Sequence, residues 1–155
     1  MEASKVTIRL AEKTDVKALF KIEQRSFDAE SFSRRQINYL ATRSSGFFWV
    51  LAEASEIAGF IVLLQRKNTR GLRIYSLAVS PNFRGKSYGR LLLEKALQTA
   101  NENAKQYLYL EVSEENQSAI RLYQKFGFQI TGKRKAYYKD GSAALLMQLP
   151  FVNYQ

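Results

Sequence analysis

The sequence predicts an α/β fold in which one mixed β-sheet carries helices on both faces. Three observations lead there. Apolar runs of strand length alternate with segments whose apolar residues recur every three or four positions. The strand over residues 72–79 runs into a loop bearing glycines and cations, which opens a helix and is followed by a second strand and a second helix. The length of 155 residues with 46% hydrophobic content suits one domain with a sizeable core, and no internal repeat, low-complexity tract or linker interrupts it.

Taken in order, Val6–Leu10 alternates apolar and polar residues as a strand does. Thr14 is placed to cap a helix whose apolar face is Val16, Leu19, Phe20 and Phe27. Residues 26–33 connect it to a second helix, opened by the capping-box pattern Ser33-Arg34-Arg35-Gln36 with Ile37, Leu40 and Ala41 inside. Residues 47–54 and 57–64 are two apolar runs broken by Ser55-Glu56, a hairpin pattern without glycine at the turn. A polar turn over residues 66–71 leads to the strand over residues 72–79, where Pro81 ends the ladder. A long helix spans about residues 89–102, then a strand covers residues 107–112. A helix over residues 116–126 has Gly127 at its C-terminal cap. Residues 128–132 and 143–149 form the last two strands, joined by the basic, tyrosine-bearing connection 133–141.

The formal charge of +10 is diffuse: residues 1–78 carry 13 basic and 8 acidic side chains, and residues 79–155 carry 11 and 6. Such a surface attracts anions generally without marking a nucleic-acid stripe, and no base-stacking motif accompanies it. There is no cysteine and no histidine. Disulfides, thiolate metal sites and an acyl-cysteine intermediate are thereby excluded, together with the commonest general base and metal ligand. Proton transfer must use carboxylates, tyrosines, lysines or water, and no metal is expected. No apolar run approaches the roughly 20 residues of a membrane span, and the N-terminal residues lack the hydrophobic block of a signal peptide. The expectation is a cytoplasmic enzyme with no membrane partner.

Arg84-Gly85-Lys86-Ser87-Tyr88-Gly89-Arg90 precedes Leu91, Leu92 and Leu93. N–H groups in the first turn of a helix have no intrahelical partner, and with the positive end of the macrodipole they form a site for phosphate or pyrophosphate. Gly85 and Gly89 allow close approach of the main chain, and the cations neutralise charge. In isolation such a loop reads first as a solvated basic turn that caps a helix.

The strand, then Val79-Ser80-Pro81-Asn82-Phe83-Arg84-Gly85 and the loop above, then Leu110-Glu111-Val112, Asn116, Ala119-Ile120, Leu122-Tyr123 and Gly127-Phe128, resemble the GNAT N-acetyltransferases. Within them the chain is most similar to the RimI-type ribosomal-protein-alanine N-terminal acetyltransferases, from Val6 to about Leu149. The resemblance implies a mostly antiparallel sheet of about seven strands, splayed between strands 4 and 5, with about four helices. It implies acetyl-CoA as cosubstrate, its pyrophosphate on Arg84, Gly85, Lys86, Ser87, Tyr88, Gly89 and Arg90. The pantetheine arm would lie on the main chain of Leu77, Ala78 and Val79, where an N–H polarises the thioester carbonyl, and against Asn116. The family usually has glycine at the position of Ser87.

Glu111 and Tyr123 have two readings each. A glutamate alternating with Leu108, Leu110 and Val112 belongs on a solvent face, and Tyr123, following Ala119 and Ile120 by one turn, belongs in a core. By resemblance, Glu111 is the general base that deprotonates the acceptor ammonium, and Tyr123 donates a proton to the departing thiolate. Asn116 serves equally as an N-cap. Tyr137 and Tyr138 stiffen a hairpin or, by resemblance, bind the acceptor backbone, with Phe32 as a further wall of that slot. Where the family commonly has Pro-Trp and a second acid, this chain has Ser31-Phe32 and Ala143. The implied reaction is direct acetyl transfer to a primary amine, the favoured acceptor being a protein N-terminus such as that of a ribosomal protein. A small amine, a lysine side chain and a non-catalytic acyl-CoA-binding regulator are the rivals.

Overall fold

The structure is a computed structural model and describes residues 5–26, 32–43, 45–66 and 68–150. Among these residues seven strands, β1 (Val6–Leu10), β2 (Phe47–Glu53), β3 (Glu56–Leu64), β4 (Gly71–Val79), β5 (Tyr107–Ser113), β6 (Gln129–Arg134) and β7 (Ala144–Pro150), form one sheet in the order β1-β2-β3-β4-β5-β7-β6. All neighbours are antiparallel except β4 and β5. The helices are α1 (Val16–Ser26), α2 (Arg34–Thr42), α3 (Tyr88–Glu102) and α4 (Gln117–Phe126).

Strand alternation divides the core in two. Leu51, Ile61, Leu63, Leu108 and Leu110 face α3 and α4, which bury Leu92, Leu93, Ala96, Ile120 and Tyr123 against them. Val50, Phe60 and Val62 point the other way, against Val16, Leu19 and Ile22 of α1 and Ile37 of α2. The period-2 pattern of the strands and the 3.6-residue pattern of the helices thus fit the same layers. No helix among the described residues is long and apolar enough to cross a membrane.

Local chemistry sets the ends of the elements. Ser33 caps α2 as expected: its hydroxyl accepts from the Gln36 N–H at 3.1 Å while the Gln36 side chain accepts from the Ser33 N–H at 2.8 Å. Thr14 is not a cap. It lies inside a short 3-10 turn (Lys13–Asp15) ahead of α1, and Asp15 closes that turn by accepting from the Glu12 N–H and binding Arg9. The glycine-free hairpin turns at Ala54 and Ser55, one residue earlier than expected, with φ of 50° and 74°. Left-handed geometry at both central residues matches the twist of the flanking strands, and it frees Glu56 to pair with Glu53. Phe27 and Ser31, and with them most of the expected α1–α2 connection, lie outside the described residues.

The decisive feature is where β4 and β5 stop pairing. Their parallel ladder runs from Gly71↔Tyr107 to Ile74↔Leu110 and no further. Beyond it β4 continues beside β3 to Gly59↔Val79, and β5 continues beside β7 to Ser113↔Ala144. The register of β3 with β4 shifts between Val62 and Leu63, so Tyr75 bulges out of the ladder where the two strands part. The expected splay is therefore present, flanked by the main chain of residues 75–79 and 111–113.

Candidate active site

On the α3/α4 side the gap opens into a cavity of about 740 Å³. Its floor is Leu77, Ala78 and Val79, and the N-terminal end of α3 forms one wall. Gly85 takes φ +83° with open space where a Cβ would stand, so the loop keeps an open approach there. A Cβ on Gly89 would meet Leu122 Cδ2 at 3.0 Å, so glycine lets α3 pack closely on α4. Ser87, the residue before α3, has φ 63° and ψ 25°, and its side chain makes no capping bond. Strand, left-handed loop residue and helix N-terminus together present first-turn N–H groups to the cavity. Arg84, Arg90 and Lys125 add cations. The donor set fits the phosphates of acetyl-CoA, and the floor of Leu77, Ala78 and Val79 fits its pantetheine arm.

Of the residues expected around the cofactor, Leu77, Ala78, Val79, Arg84, Gly85, Ser87, Tyr88, Gly89, Arg90 and Asn116 all line this cavity. Lys86 does not. Its ammonium turns back to Glu53 at 2.9 Å, and Tyr88 donates a hydrogen bond to the same carboxylate. Those contacts hold the Glu53 carboxyl below its usual range, the Tyr88 bond being the larger cause and the Lys86 bond the next, while the bond to Glu53, with burial second, raises the Tyr88 phenol. The pair fastens the loop to the end of β2. Asn116 caps α4 by accepting from the Ala119 N–H at 3.2 Å, and so both bounds the cavity and starts the helix that carries Tyr123.

Tyr123 lines the cavity from α4 and is 7% exposed. Burial pushes its phenol above the ordinary tyrosine range, and the neighbouring Tyr138 adds to the effect. It therefore holds its proton at neutral pH.

Glu111 occupies the opposite face of the sheet, since Leu110 and Val112 beside it point to α3 and α4. Its side chain is 11% exposed, so the solvent-face alternative fails. Arg73 Nη2 lies 2.7 Å from Oε1 and Arg134 Nε 3.3 Å from Oε2, and the Tyr137 hydroxyl donates to Oε1 at 3.1 Å. Tyr137 and Tyr138 meet edge to face at 5.0 Å. Tyr137 thus brings the connection between β6 and β7 to Glu111.

Phe32 belongs to a second ring pair. Its ring stacks on Tyr75 at 5.2 Å, and its N–H donates to Glu23 at 2.9 Å. Phe32, Tyr75, Tyr109 and Arg73 line a groove of about 620 Å³, and Arg73 joins it to Glu111. Ala143, where the family has an acid, is buried, and its N–H donates to Glu114 at 3.1 Å.

Several participants escaped the sequence reading. Ala119, Leu122 and Phe126 share a face of α4 with Tyr123, a spacing that helical periodicity could have marked. Arg73 and Arg134 meet Glu111 only through the strand register. Glu23 is 1% exposed, with Oε1 lacking a partner among the described residues, and burial raises its carboxyl to about 7 against the opposing Phe32 N–H. Nothing in its sequence neighbourhood marks it.

Residues 15–128 match the acetyltransferase (GNAT) family. The ribosomal protein bS18-alanine N-acetyltransferase of Escherichia coli K12 is 30% identical over 148 residues, covering 93% of this chain and 97% of its own. The crystal structure of the corresponding Escherichia coli enzyme superposes with a TM-score of 0.83 at 29% identity, covering 94% of each chain. Ard1 from Thermoplasma volcanium superposes with a TM-score of 0.88 at 32% identity, covering 95% of this chain and 98% of its own.

Proposed function

The chain belongs to the acetyltransferase (GNAT) family and is an acetyl-CoA-dependent N-acetyltransferase; from that premise we propose that its acceptor is the N-terminal α-amine of a protein, a ribosomal protein being one candidate. The observation that carries this reading is the partly buried Glu111 carboxylate beside the β4–β5 gap, at the head of an aromatic groove and across the sheet from the Tyr123 cavity. An extended chain end suits a groove of that form better than a compact amine does. The Escherichia coli relative, whose name specifies an alanine acceptor on a ribosomal protein, supports the same choice.

Acetyl-CoA supplies the acetyl group, activated as a thioester. In the proposed arrangement Arg84, Arg90 and the first turn of α3 hold its phosphates, while main-chain groups of Leu77–Val79 left without a β5 partner orient the rest. Glu111 accepts the proton of the incoming ammonium, directly or through water, and Tyr137 keeps the carboxylate oriented. Tyr123 retains a proton at Oη for the departing sulfur. Tyr138 and Phe32 flank the acceptor. The acetyl group passes straight to the amine.

The α-amine is the easier nucleophile to prepare. With reference pKa values near 8 and 10.4, roughly a tenth of an α-amine but well under a hundredth of a lysine amine is neutral at pH 7. The test compares peptides ending in a free small residue with the same peptides N-terminally blocked and carrying an internal lysine. The free series is expected to show at least about tenfold higher kcat/KM. Faster reaction of the blocked lysine peptides or of free polyamines would overturn the acceptor assignment and leave only the family activity.

A further inference from the structure

Resting on that reading of the acceptor, we infer that the groove leading from Glu111 selects polypeptides carrying acidic side chains at about the third to fifth positions from the reacting amine. The argument begins with direction. Glu111 lies two residues beyond Tyr109 on β5, and Tyr109 is level with Arg73 on β4. Arg73 is level with Leu64 on β3, and Gln65 and Arg66 continue past it. At about 3.3 Å per residue, an extended chain whose amine meets Glu111 passes Arg73 and Tyr109 after about two residues. It reaches Arg66 after about two more. The groove therefore leaves the splay and runs toward the start of β4, away from the acetyl-CoA cavity.

Its charge is one-sided. Arg35, Arg66 and Arg73 line it, and no Asp or Glu does among the described residues. Arg73 is committed to Glu111, and its guanidinium also lies over Tyr75 at 5.2 Å. Arg35 and Arg66 are exposed, and neither has a carboxylate partner among the described residues. The same groove carries the exposed ring of Tyr39 and the stacked pair Phe32–Tyr75. Two uncommitted guanidiniums beside aromatic rings recognise carboxylates on an extended chain, and they repel lysine and arginine at the same positions. The paired Arg73 near the head of the groove leaves the positions next to the amine governed by shape. The cations beyond it govern the later ones.

The experiment uses peptides identical in their first two residues and carrying Glu, Ser or Lys at positions three to five, assayed with acetyl-CoA against the wild-type protein and Arg35→Glu/Arg66→Glu. Exposed charge pairs are individually weak but add over two cations, so the wild-type protein should favour the acidic over the basic series by roughly tenfold in kcat/KM. The preference should shrink as salt rises. In the double variant the acidic-to-basic ratio should fall below one. Because that ratio is internal to each protein, a general loss of activity does not mimic the result. N-terminal acetylation with no charge preference, or with a preference that the reversal leaves in place, overturns the groove inference while leaving the acceptor assignment standing. Failure of every free N-terminus beside reactive lysine or polyamine overturns both.

Discussion

Ser87 holds a backbone conformation that favours glycine, φ 63°, at the entrance to α3, and its hydroxyl makes no capping bond in return. A left-handed L residue costs about 1 kcal/mol, and Gly at the same site costs only some unfolded-state entropy. Ser87→Gly is therefore expected to stabilise the protein by up to about 1 kcal/mol in urea denaturation, without loss of acetyl-CoA affinity. Destabilisation would mean that the serine side chain makes a contact that outweighs the strain. Tyr123 poses the opposite test, because Tyr123→Phe keeps the buried ring packed on Phe128 and removes only the proton. Turnover should fall by roughly 10²–10⁴, with acetyl-CoA binding by calorimetry unchanged. Unaltered turnover would return Tyr123 to a packing role. Single residues were legible in the sequence where their type alone carries the chemistry, as with the glycines of the loop and the capping Asn116. Lys86 shows the limit: its type suits a phosphate, yet a carboxylate 33 residues earlier in the chain claims it.

At the scale of elements, α1 carries a buried carboxyl that makes stability depend on pH. Glu23 is raised to about 7 by burial, whereas in the unfolded chain it titrates near 4.5. Between those values the folded state holds a proton that the unfolded state has released, so stability is full below about pH 4.5 and declines as pH rises toward 7. The decline amounts to about 3 kcal/mol at most. Glu23→Gln keeps an acceptor for the Phe32 N–H and removes the titration, so its stability should gain on the wild type across that window in urea titrations at several pH values. Parallel pH profiles would show that Glu23 is ionised in the folded protein. Strand and helix identities were readable because alternation and the helical period are local. The start of α1 was not, because Asp15 rather than Thr14 closes the turn before it, accepting from the Glu12 N–H while Arg9 of the preceding strand holds the carboxylate. The turn at Ala54–Ser55 shows tertiary pairing imposing left-handed φ on residues that do not favour it.

Over the whole molecule, the pairing of β4 with β5 over only four residues each creates both surfaces of the site: the cavity under α3 and α4, and the face that presents Glu111. Strand order and the extent of pairing are long-range properties that no window of sequence encodes, and the expectation of a splay rested on family resemblance. The net charge of +10 acts at this scale too. Acetyl-CoA affinity should fall as salt rises from low to physiological concentration, and Arg84→Ala should weaken both the affinity and its salt dependence. A dephosphorylated pantetheine derivative that binds as tightly as acetyl-CoA would contradict the phosphate cradle. The central claim is that thioester and N-terminal amine meet across the β4–β5 gap, each arriving from its own side. Inhibition by a conjugate joining CoA through an acetyl bridge to the α-nitrogen of a peptide tests this most directly. Linking two occupied sites raises apparent affinity by roughly 10²-fold or more, so the conjugate should inhibit far below the concentration needed of CoA, and well below the same peptide joined through a lysine side chain. Inhibition no stronger than that by CoA alone would contradict it.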